Sequence, residues 1–240
     1  MNQNNFIKES IIWWENNQVN FWSIQARQEY FWWKYDKLVF DLGKKFSFLR
    51  EWVMFEFLFY LAKNNWFEIN YDEVASLLDV SNKKARRILS YLKQKKVIFL
   101  LKKFDDIGYK YKIYFYDNWF RNYILKNFLD AEYRNDNWFL FEGFVISNIL
   151  KKWIKEKNIF YRQDENKKEV DLIINQKNKL LAVEIKYKNK FREKDIDSLK
   201  YFSAKFLSVP FLVNTTLEWY YQGVNFVNPF YDFVKEYSLQ

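Results

Sequence analysis

The 240-residue sequence contains no cysteine and no histidine. Without cysteine the chain can form neither disulfides nor zinc-finger sites, and it has no thiol nucleophile. Without histidine it cannot carry a Ser-His-Asp triad, an imidazole base or a histidine-ligated metal. Any chemistry on this chain must therefore use carboxylates, lysines, hydroxyls and hard metal ions.

Glycine and proline are also scarce, with four and two residues respectively. The glycines lie too far apart for a P-loop or a dinucleotide-binding fingerprint, and long flexible linkers are excluded. Half of the residues are apolar and 23% are aromatic, which is the composition of a folded globular protein.

Long hydrophobic runs are absent. The longest apolar stretch, Trp52 to Ala62, has 11 residues and contains Glu56, so it is too short to cross a bilayer. The first ten residues, MNQNNFIKES, lack the regions of a signal peptide. We therefore expect a cytoplasmic protein with no membrane partner.

The charge is strongly basic and unevenly distributed. A net charge of +9 and a pI near 9.3 predict a polyanionic partner, nucleic acid first. Between Val80 and Phe104 the sequence has nine basic residues and no acidic one, so the rest of the chain sums to zero. These nine residues are Lys83, Lys84, Arg86, Arg87, Lys93, Lys95, Lys96, Lys102 and Lys103.

The first two of three predicted segments are residues 1–68 and 69–117. Residues 1–68 are predicted to form an aromatic-rich helical segment. Its periodic aromatic side chains are expected to pack in the core, and stacking on nucleic-acid bases is the less favoured alternative. Residues 69–117 contain two helices, the second at 82–95 with Ser81 as its N-cap, and strands at 97–102 and 109–116. Two helices followed by a hairpin predict a winged helix-turn-helix.

The winged helix predicts a DNA interface, because basic residues cluster on its second helix and its hairpin. A solvated helix face and a protein-binding module are the alternatives. The residues expected to bind DNA are Lys83, Lys84, Arg86, Arg87, Lys93, Lys102 and Lys103.

The third segment, residues 118–240, is predicted to be α/β. Its order of helix, three strands, helix and strand indicates a three-stranded meander with a crossover to a fourth strand. The predicted helices are at 117–131, 138–157, 193–204 and 230–237, and the strands at 159–163, 169–175, 180–187, 210–214 and 223–227.

Acidic residues lie inside two of these apolar strands. Asp171 is in the first, and Glu184 and Lys186 share one face of the second. Charged residues rarely occupy apolar strands without a partner or a metal. With Glu142 on the preceding helix, they predict a Mg²⁺ or Mn²⁺ site where Lys186 acts on water or phosphate. An amphipathic strand with Glu184 and Lys186 in solvent is the alternative.

The ordered set Glu142, Asp171 and Glu184-Ile185-Lys186 resembles the PD-(D/E)XK nuclease superfamily. Together with the runs at 117–122, 141–145 and 161–162, it looks like the C-terminal domain of unknown function of prokaryotic AAA-type ATPases. In those proteins a winged helix precedes this domain, and the resemblance covers about residues 50–235. Val170 replaces the proline of the superfamily pattern, and the sequence contains no ATPase module.

The resemblance implies an α/β fold with a restriction-endonuclease-like α-β-β-β-α-β core, preceded by the winged helix-turn-helix and the N-terminal helical segment. It also implies that Asp171, Glu184 and Glu142 bind the metal and that Lys186 is the catalytic lysine. The expected function is a metal-dependent DNA endonuclease. Its expected partners are DNA, a second copy of the chain and an ATPase supplied in trans.

Two other functions fit the same residues. The chain could be a catalytically inactive DNA-binding or regulatory protein that uses the nuclease fold for contacts. It could also be a Holliday-junction resolvase, which would share the metal site and need a dimer to space its two cuts.

Overall fold

The computed structural model describes residues 24–105, 110–151, 154–165, 168–176, 179–215 and 218–233. Within these residues the chain forms seven α-helices and one mixed sheet of eight strands. The helices are α1 (Ile24–Lys45), α2 (Glu51–Lys63), α3 (Tyr71–Leu77), α4 (Asn82–Gln94), α5 (Asn118–Leu125), α6 (Asn137–Lys151) and α7 (Asp197–Phe206). The strands are β1 (Ile98–Lys103), β2 (Tyr111–Phe115), β3 (Ile159–Gln163), β4 (Glu169–Gln176), β5 (Lys179–Ile185), β6 (Val209–Val213), β7 (Trp219–Tyr221) and β8 (Val224–Val227).

The strands lie in the order β2-β1-β3-β4-β5-β6-β8-β7. Strands β3, β4 and β5 form the predicted antiparallel meander, and α7 connects β5 to the parallel strand β6. Strand β1 joins the same sheet by pairing in parallel with β3, with Lys102 opposite Phe160. The hairpin β1–β2 and the acid-bearing strands β4 and β5 therefore belong to one continuous sheet.

Side-chain caps start the two helices that precede the hairpin. The Asn70 side chain accepts hydrogen bonds from the backbone N–H groups of Asp72 and Glu73, at 3.0 and 3.3 Å. Ser81 Oγ accepts from the Lys84 N–H at 3.4 Å, which confirms the predicted N-cap of α4. The apolar face of α4 is buried, as its periodicity predicts: Ala85, Ile88, Leu89 and Leu92.

The sheet is covered on both faces. Helix α6 packs on one face, where Phe141 and Phe144 meet Leu172 and Val183. Helix α7 packs on the other face, where Phe202 belongs to a second cluster with Ile173, Ala182 and Leu212. The helices α1 to α5 share a third apolar cluster with the hairpin. This layering fixes α6, and with it Glu142, against the meander.

Two predicted helices are shorter than their periodicity indicated. Helix α5 ends at Leu125 and not at residue 131, because Lys126 adopts a left-handed backbone with φ 51°. The Asn127 N–H then bonds to the Asn122 carbonyl at 3.0 Å and closes the helix end. Helix α6 ends at Lys151, and Glu156–Asn158 form a 3-10 turn where the longer helix was predicted.

The C-terminal region differs from prediction in two places. The edge strand β7 was not predicted, because its three residues are all exposed and show no alternation. Gly223, predicted to begin a strand, lies with Gln222 in the turn before β8, both with positive φ. Residues 230–233 are not helical, and the rest of the helix predicted at 230–237 lies outside the described residues, as do residues 1–23 of the N-terminal segment.

None of the helices in the described segments has both the length and the apolar character that a bilayer crossing requires.

Candidate active site

The two strand-borne acids lie beside each other. In the antiparallel pair β4–β5 the ladder ends with Leu172 opposite Val183. Asp171 and Glu184 are the next residues of the two strands beyond this pair, and each affects the other's charge. Asp171 Oδ2 accepts a hydrogen bond from the Ile185 N–H at 2.7 Å. The sheet register thus brings together the two carboxylates that the sequence predicts to converge.

Glu184 has one occupied and one open carboxylate oxygen. Its Oε1 lies 2.5 Å from Lys186 Nζ, which places the lysine on the acid's side of the strand, as its spacing predicts. Its Oε2 is buried and has no hydrogen-bond partner among the described residues. A buried charged oxygen without a partner is costly, so this atom is suited to a bound cation.

Glu142 reaches the site from α6 and is only 5% exposed. Its Oε1 accepts a hydrogen bond from the Tyr114 hydroxyl at 2.5 Å. The helix can approach closely because the next residue is Gly143, where a Cβ atom would lie 3.3 Å from Asn118 Oδ1. Asn118 in turn donates to the Leu140 carbonyl at 2.8 Å and holds α6 in place.

Three further side chains of the site are absent from the sequence-based prediction: Lys112, Tyr114 and Glu169. Lys112 forms an ion pair with Glu169 Oε1, and Gln163 donates to Glu169 Oε2 at 3.1 Å. The sequence offers one weak signal, since Lys112 and Tyr114 are two residues apart on one face of an apolar strand. Their approach to the acids depends on the pairing of β1 with β3, which local sequence does not encode.

Burial and mutual repulsion raise the pKa values of all three predicted carboxylates. Burial raises the pKa of Glu142 to about 7, and the charge of Asp171 adds to the effect. Burial also raises the pKa of Asp171, and it raises that of Glu184 well above its usual value, again with a contribution from Asp171. Lys186 opposes these shifts at Asp171 and Glu184. The acids therefore lack full charge compensation.

Replacing Glu142 with glutamine is expected to stabilise the metal-free protein at pH 8. The folded pKa of about 7 exceeds the ordinary 4.5, so the folded state retains a proton that the unfolded chain releases. This stabilisation is complete below pH 4.5 and is lost as the pH rises through 7. Melting temperatures measured in EDTA from pH 5 to pH 8 should fall more for the wild type than for Glu142→Gln.

The control for this measurement is Glu165→Gln, which changes an exposed glutamate. Its pH profile should follow the wild type. Parallel profiles for Glu142→Gln and the wild type would show that Glu142 does not carry the buried proton.

The site could bind a hard cation with two carboxylates, while water would supply the remaining ligands. In the described part of the chain, no group of three or more acidic side chains is arranged to hold a metal ion. Mg²⁺ retains several waters and commonly binds one or two carboxylates, and Mn²⁺ accepts the same oxygen ligands. The open Oε2 of Glu184 and the adjacent Asp171 carboxylate match this requirement.

The basic residues predicted to bind DNA fall into two groups. Lys83, Lys84, Arg86 and Arg87 are exposed on the first turns of α4. Lys84 lies over the Phe48 ring and Arg86 over the Tyr71 ring, at 4.5 and 4.0 Å from the ring centres. Lys93 forms an ion pair, with its Nζ 2.8 Å from Glu156 Oε1. The cationic face is therefore concentrated at the start of α4.

The other two residues predicted to bind DNA, Lys102 and Lys103, lie at the C-terminal end of β1. Lys102 is exposed, and Lys103 lines a cleft of about 650 Å³ between the hairpin, β3 and α7. The cleft also contains Gln163, whose side chain bonds to Glu169, so it borders the acidic site. Its other basic residues are Lys110, Arg162 and Lys205, and its acidic residues are Glu68, Asp164 and Glu165.

Comparison with protein-family models gives a match in the second half of the chain. Residues 139–233 match the family described as Domain of unknown function (DUF4143), a domain found in proteins associated with AAA-type ATPases. The match covers less than half of the chain and includes Glu142, Asp171, Glu184 and Lys186.

Among solved structures, the chain is similar to the protein VC1899 from Vibrio cholerae, with 17% identity and a TM-score of 0.29. The similarity covers 87% of this chain and 54% of that one, so this chain spans about half the length of VC1899. Comparison with curated proteins gives no match.

Proposed function

We propose that the protein is a metal-dependent DNA endonuclease whose nuclease core is formed by α6, β3, β4, β5, α7 and β6. The observation that carries this proposal is the buried, unpartnered Oε2 of Glu184, beside Asp171 and two residues before Lys186. An open carboxylate oxygen next to a second carboxylate and a lysine is the constellation that phosphodiester hydrolysis with a hard cation requires.

In this proposal Asp171 and Glu184 would hold Mg²⁺ or Mn²⁺, with Glu142 as the third acid of the site. The bound ion would offset phosphate charge and lower the pKa of its water. Burial alone would lower the pKa of Lys186, but Asp171 and Glu184 raise it above its usual value. The lysine therefore stays protonated, which favours neutralisation of a phosphate oxygen over removal of a proton from water.

The segment comprising α3, α4, β1 and β2 would dock on DNA as a winged helix. The exposed cations at the start of α4 would meet the phosphates around a major groove. Lys103 and the neighbouring cleft would bind backbone next to the acidic site. The matched domain's association with AAA-type ATPases supports an ATPase as a partner in trans, and a second copy of this chain would allow cleavage of both strands.

A non-catalytic DNA-binding or regulatory role is the second candidate. Two observations favour it: the described residues contain no group of three acidic side chains arranged to hold a metal ion, and Glu169 and Glu184 are each paired with a lysine. In that case the nuclease fold would serve only as an interaction surface.

Metal binding separates the two functions. For the endonuclease, Mg²⁺ or Mn²⁺ should raise the melting temperature through preferential binding to the folded state, and should support cleavage of plasmid, linear or branched DNA. If neither stabilisation nor cleavage occurs over a panel of DNA and RNA substrates, the non-catalytic role replaces the endonuclease.

Removing three cations from α4 is expected to weaken DNA binding without unfolding the protein. Lys83, Lys84 and Arg87 are exposed, so the triple alanine variant should keep its melting temperature. If each cation contacts one phosphate, the slope of log affinity against log salt should flatten by about three units. Fluorescence anisotropy of labelled duplex DNA, measured at salt concentrations from about 50 to 300 mM, gives this slope.

Lys93→Ala is the control, because Lys93 is paired with Glu156. It should change the slope by less than about one unit. An unchanged slope for the triple variant would make this helix face a solvated or protein-binding surface.

A further inference from the structure

An aromatic groove of about 710 Å³ lies between α1, α2 and α5, and the described residues that line it are separate from the candidate active site. The Tyr35 ring contacts the rings of Phe55 and Tyr123, with centres 6.5 and 6.1 Å apart. Phe128 extends this wall, 6.5 Å from Tyr123, and Trp32 lines the same groove with 59% of its side chain exposed. Five aromatic side chains therefore line one open recess.

The aromatic surface continues along α2 beyond the groove. Trp52, Phe55 and Phe59 are all exposed, and their spacing of three and four residues makes them neighbours on one face of the helix. The rings of Phe55 and Phe59 are stacked with centres 6.3 Å apart. Single exposed apolar residues are common, whereas a contiguous exposed apolar surface marks an interaction site. This surface extends past the groove and so fits a protein segment better than a small molecule.

The groove is edged by acidic residues. Its acidic lining residues are Glu29, Asp36 and Glu51, and of the described residues that line it only Lys126 is basic. Neither Asp36 nor Glu51 forms an ion pair with a described residue. Burial raises the pKa of Tyr35 to about 12, and the charges of Glu51 and Asp36 are among those that add to the effect. Both carboxylates therefore act on the centre of the aromatic wall.

The charge of the groove selects among possible occupants. Nucleic acids and anionic membrane surfaces are negatively charged, so the acids would repel them. A second copy of the chain in a two-fold arrangement would place the same acids opposite one another. A segment with both apolar and basic side chains matches the groove, because it can bury apolar surface, pair with the acids and form cation–π contacts.

We propose that this groove binds a basic amphipathic helix of a partner protein. The apolar face of that helix would lie on Trp32, Phe55 and Phe59, as amphipathic helices bind apolar grooves through residues three and four positions apart. Its lysine or arginine side chains would reach Asp36 and Glu51. The chain would thus have a protein-docking surface on α1 and α2 that is separate from the cationic start of α4 and independent of the proposed endonuclease function.

Two labelled model peptides test this proposal. One is a helix of about 18 residues made of leucine and lysine with leucine at helical spacing, and the other has glutamate in place of each lysine. Fluorescence anisotropy with the full chain should show saturable binding of the lysine peptide and binding of the glutamate peptide that is at least about tenfold weaker. Added salt should weaken the binding of the lysine peptide.

Two variants locate the binding surface. Trp32→Ala should weaken binding of the lysine peptide at least about tenfold, because large aromatic anchors carry much of the binding energy of such interfaces. Asp36→Lys should weaken binding of the lysine peptide and strengthen binding of the glutamate peptide. Trp33→Ala is the matched control, since Trp33 is the next residue of α1, is 53% exposed and does not line the groove. It should bind as the wild type does.

Three results would overturn the proposal: no saturable binding of the lysine peptide, equal affinity for the two peptides, or equal effects of Trp32→Ala and Trp33→Ala. Melting curves show whether each variant is folded. If Trp32→Ala does not fold, Asp36→Lys decides. A shift of preference towards the glutamate peptide supports the proposal, and an unchanged preference overturns it.

Discussion

Asp171→Asn is expected to abolish both cleavage and metal-induced stabilisation. Asparagine keeps the size of the side chain and can still accept a hydrogen bond from the Ile185 N–H, but it loses the charge that attracts a divalent cation. We expect cleavage to fall at least about 1000-fold, which corresponds to about 4 kcal/mol of transition-state stabilisation. Initial rates of plasmid nicking and melting temperatures with and without Mg²⁺ measure the two effects.

The sequence supplies a matched control for this experiment. Glu165 precedes a lysine by two residues, as Glu184 does, but it lies in an exposed turn. Glu184→Gln should therefore resemble Asp171→Asn, and Glu165→Gln should resemble the wild type. Full activity of Asp171→Asn would place the reaction elsewhere and refute the proposed site.

Asp136→Ala is expected to destabilise the folded protein by about 3–5 kcal/mol, because it leaves buried cations without a counter-charge. Asp136 Oδ2 accepts from Arg121 Nη1 at 2.8 Å, and its Oδ1 accepts from Arg134 Nε at 2.8 Å. The two arginine side chains are 2% and 0% exposed. Burial lowers the pKa of Arg121 to about 10, although Asp136 opposes the shift. Denaturant unfolding monitored by tryptophan fluorescence measures the loss.

This network supports the candidate site from a distance. Arg121 also donates to the Ala62 carbonyl at 2.9 Å, so it connects α2 to the start of α6, the helix that carries Glu142. Asp130→Ala is the control, since Asp130 is exposed and makes no capping hydrogen bond. A loss below about 1 kcal/mol for Asp136→Ala would mean that the arginines are compensated by water or other groups.

Local sequence was sufficient wherever a short-range interaction decides the structure. Ser81 caps α4 because its hydroxyl reaches an N–H three residues later, and this depends on nothing distant. The alternation of Leu181, Val183 and Ile185 placed Glu184 and Lys186 on the opposite face for the same reason. The prediction from local sequence was wrong at the end of α5. The left-handed backbone of Lys126 ends the helix there, although the helical spacing of apolar residues continues beyond it.

The sequence by itself therefore excluded disulfides, zinc fingers and histidine-based catalysis, and it predicted most of the helices and strands. It also identified Asp171, Glu184, Lys186 and Glu142 as candidate site residues. Only the tertiary structure decided that the hairpin joins the meander through β1 and β3, and that Lys112, Tyr114 and Glu169 consequently enter the site. The physical reason is the distance along the sequence between the residues that interact. Helix periods and strand alternation are set by neighbouring residues, whereas the position of Lys112 beside Glu169, 57 residues later, depends on how the strands pair.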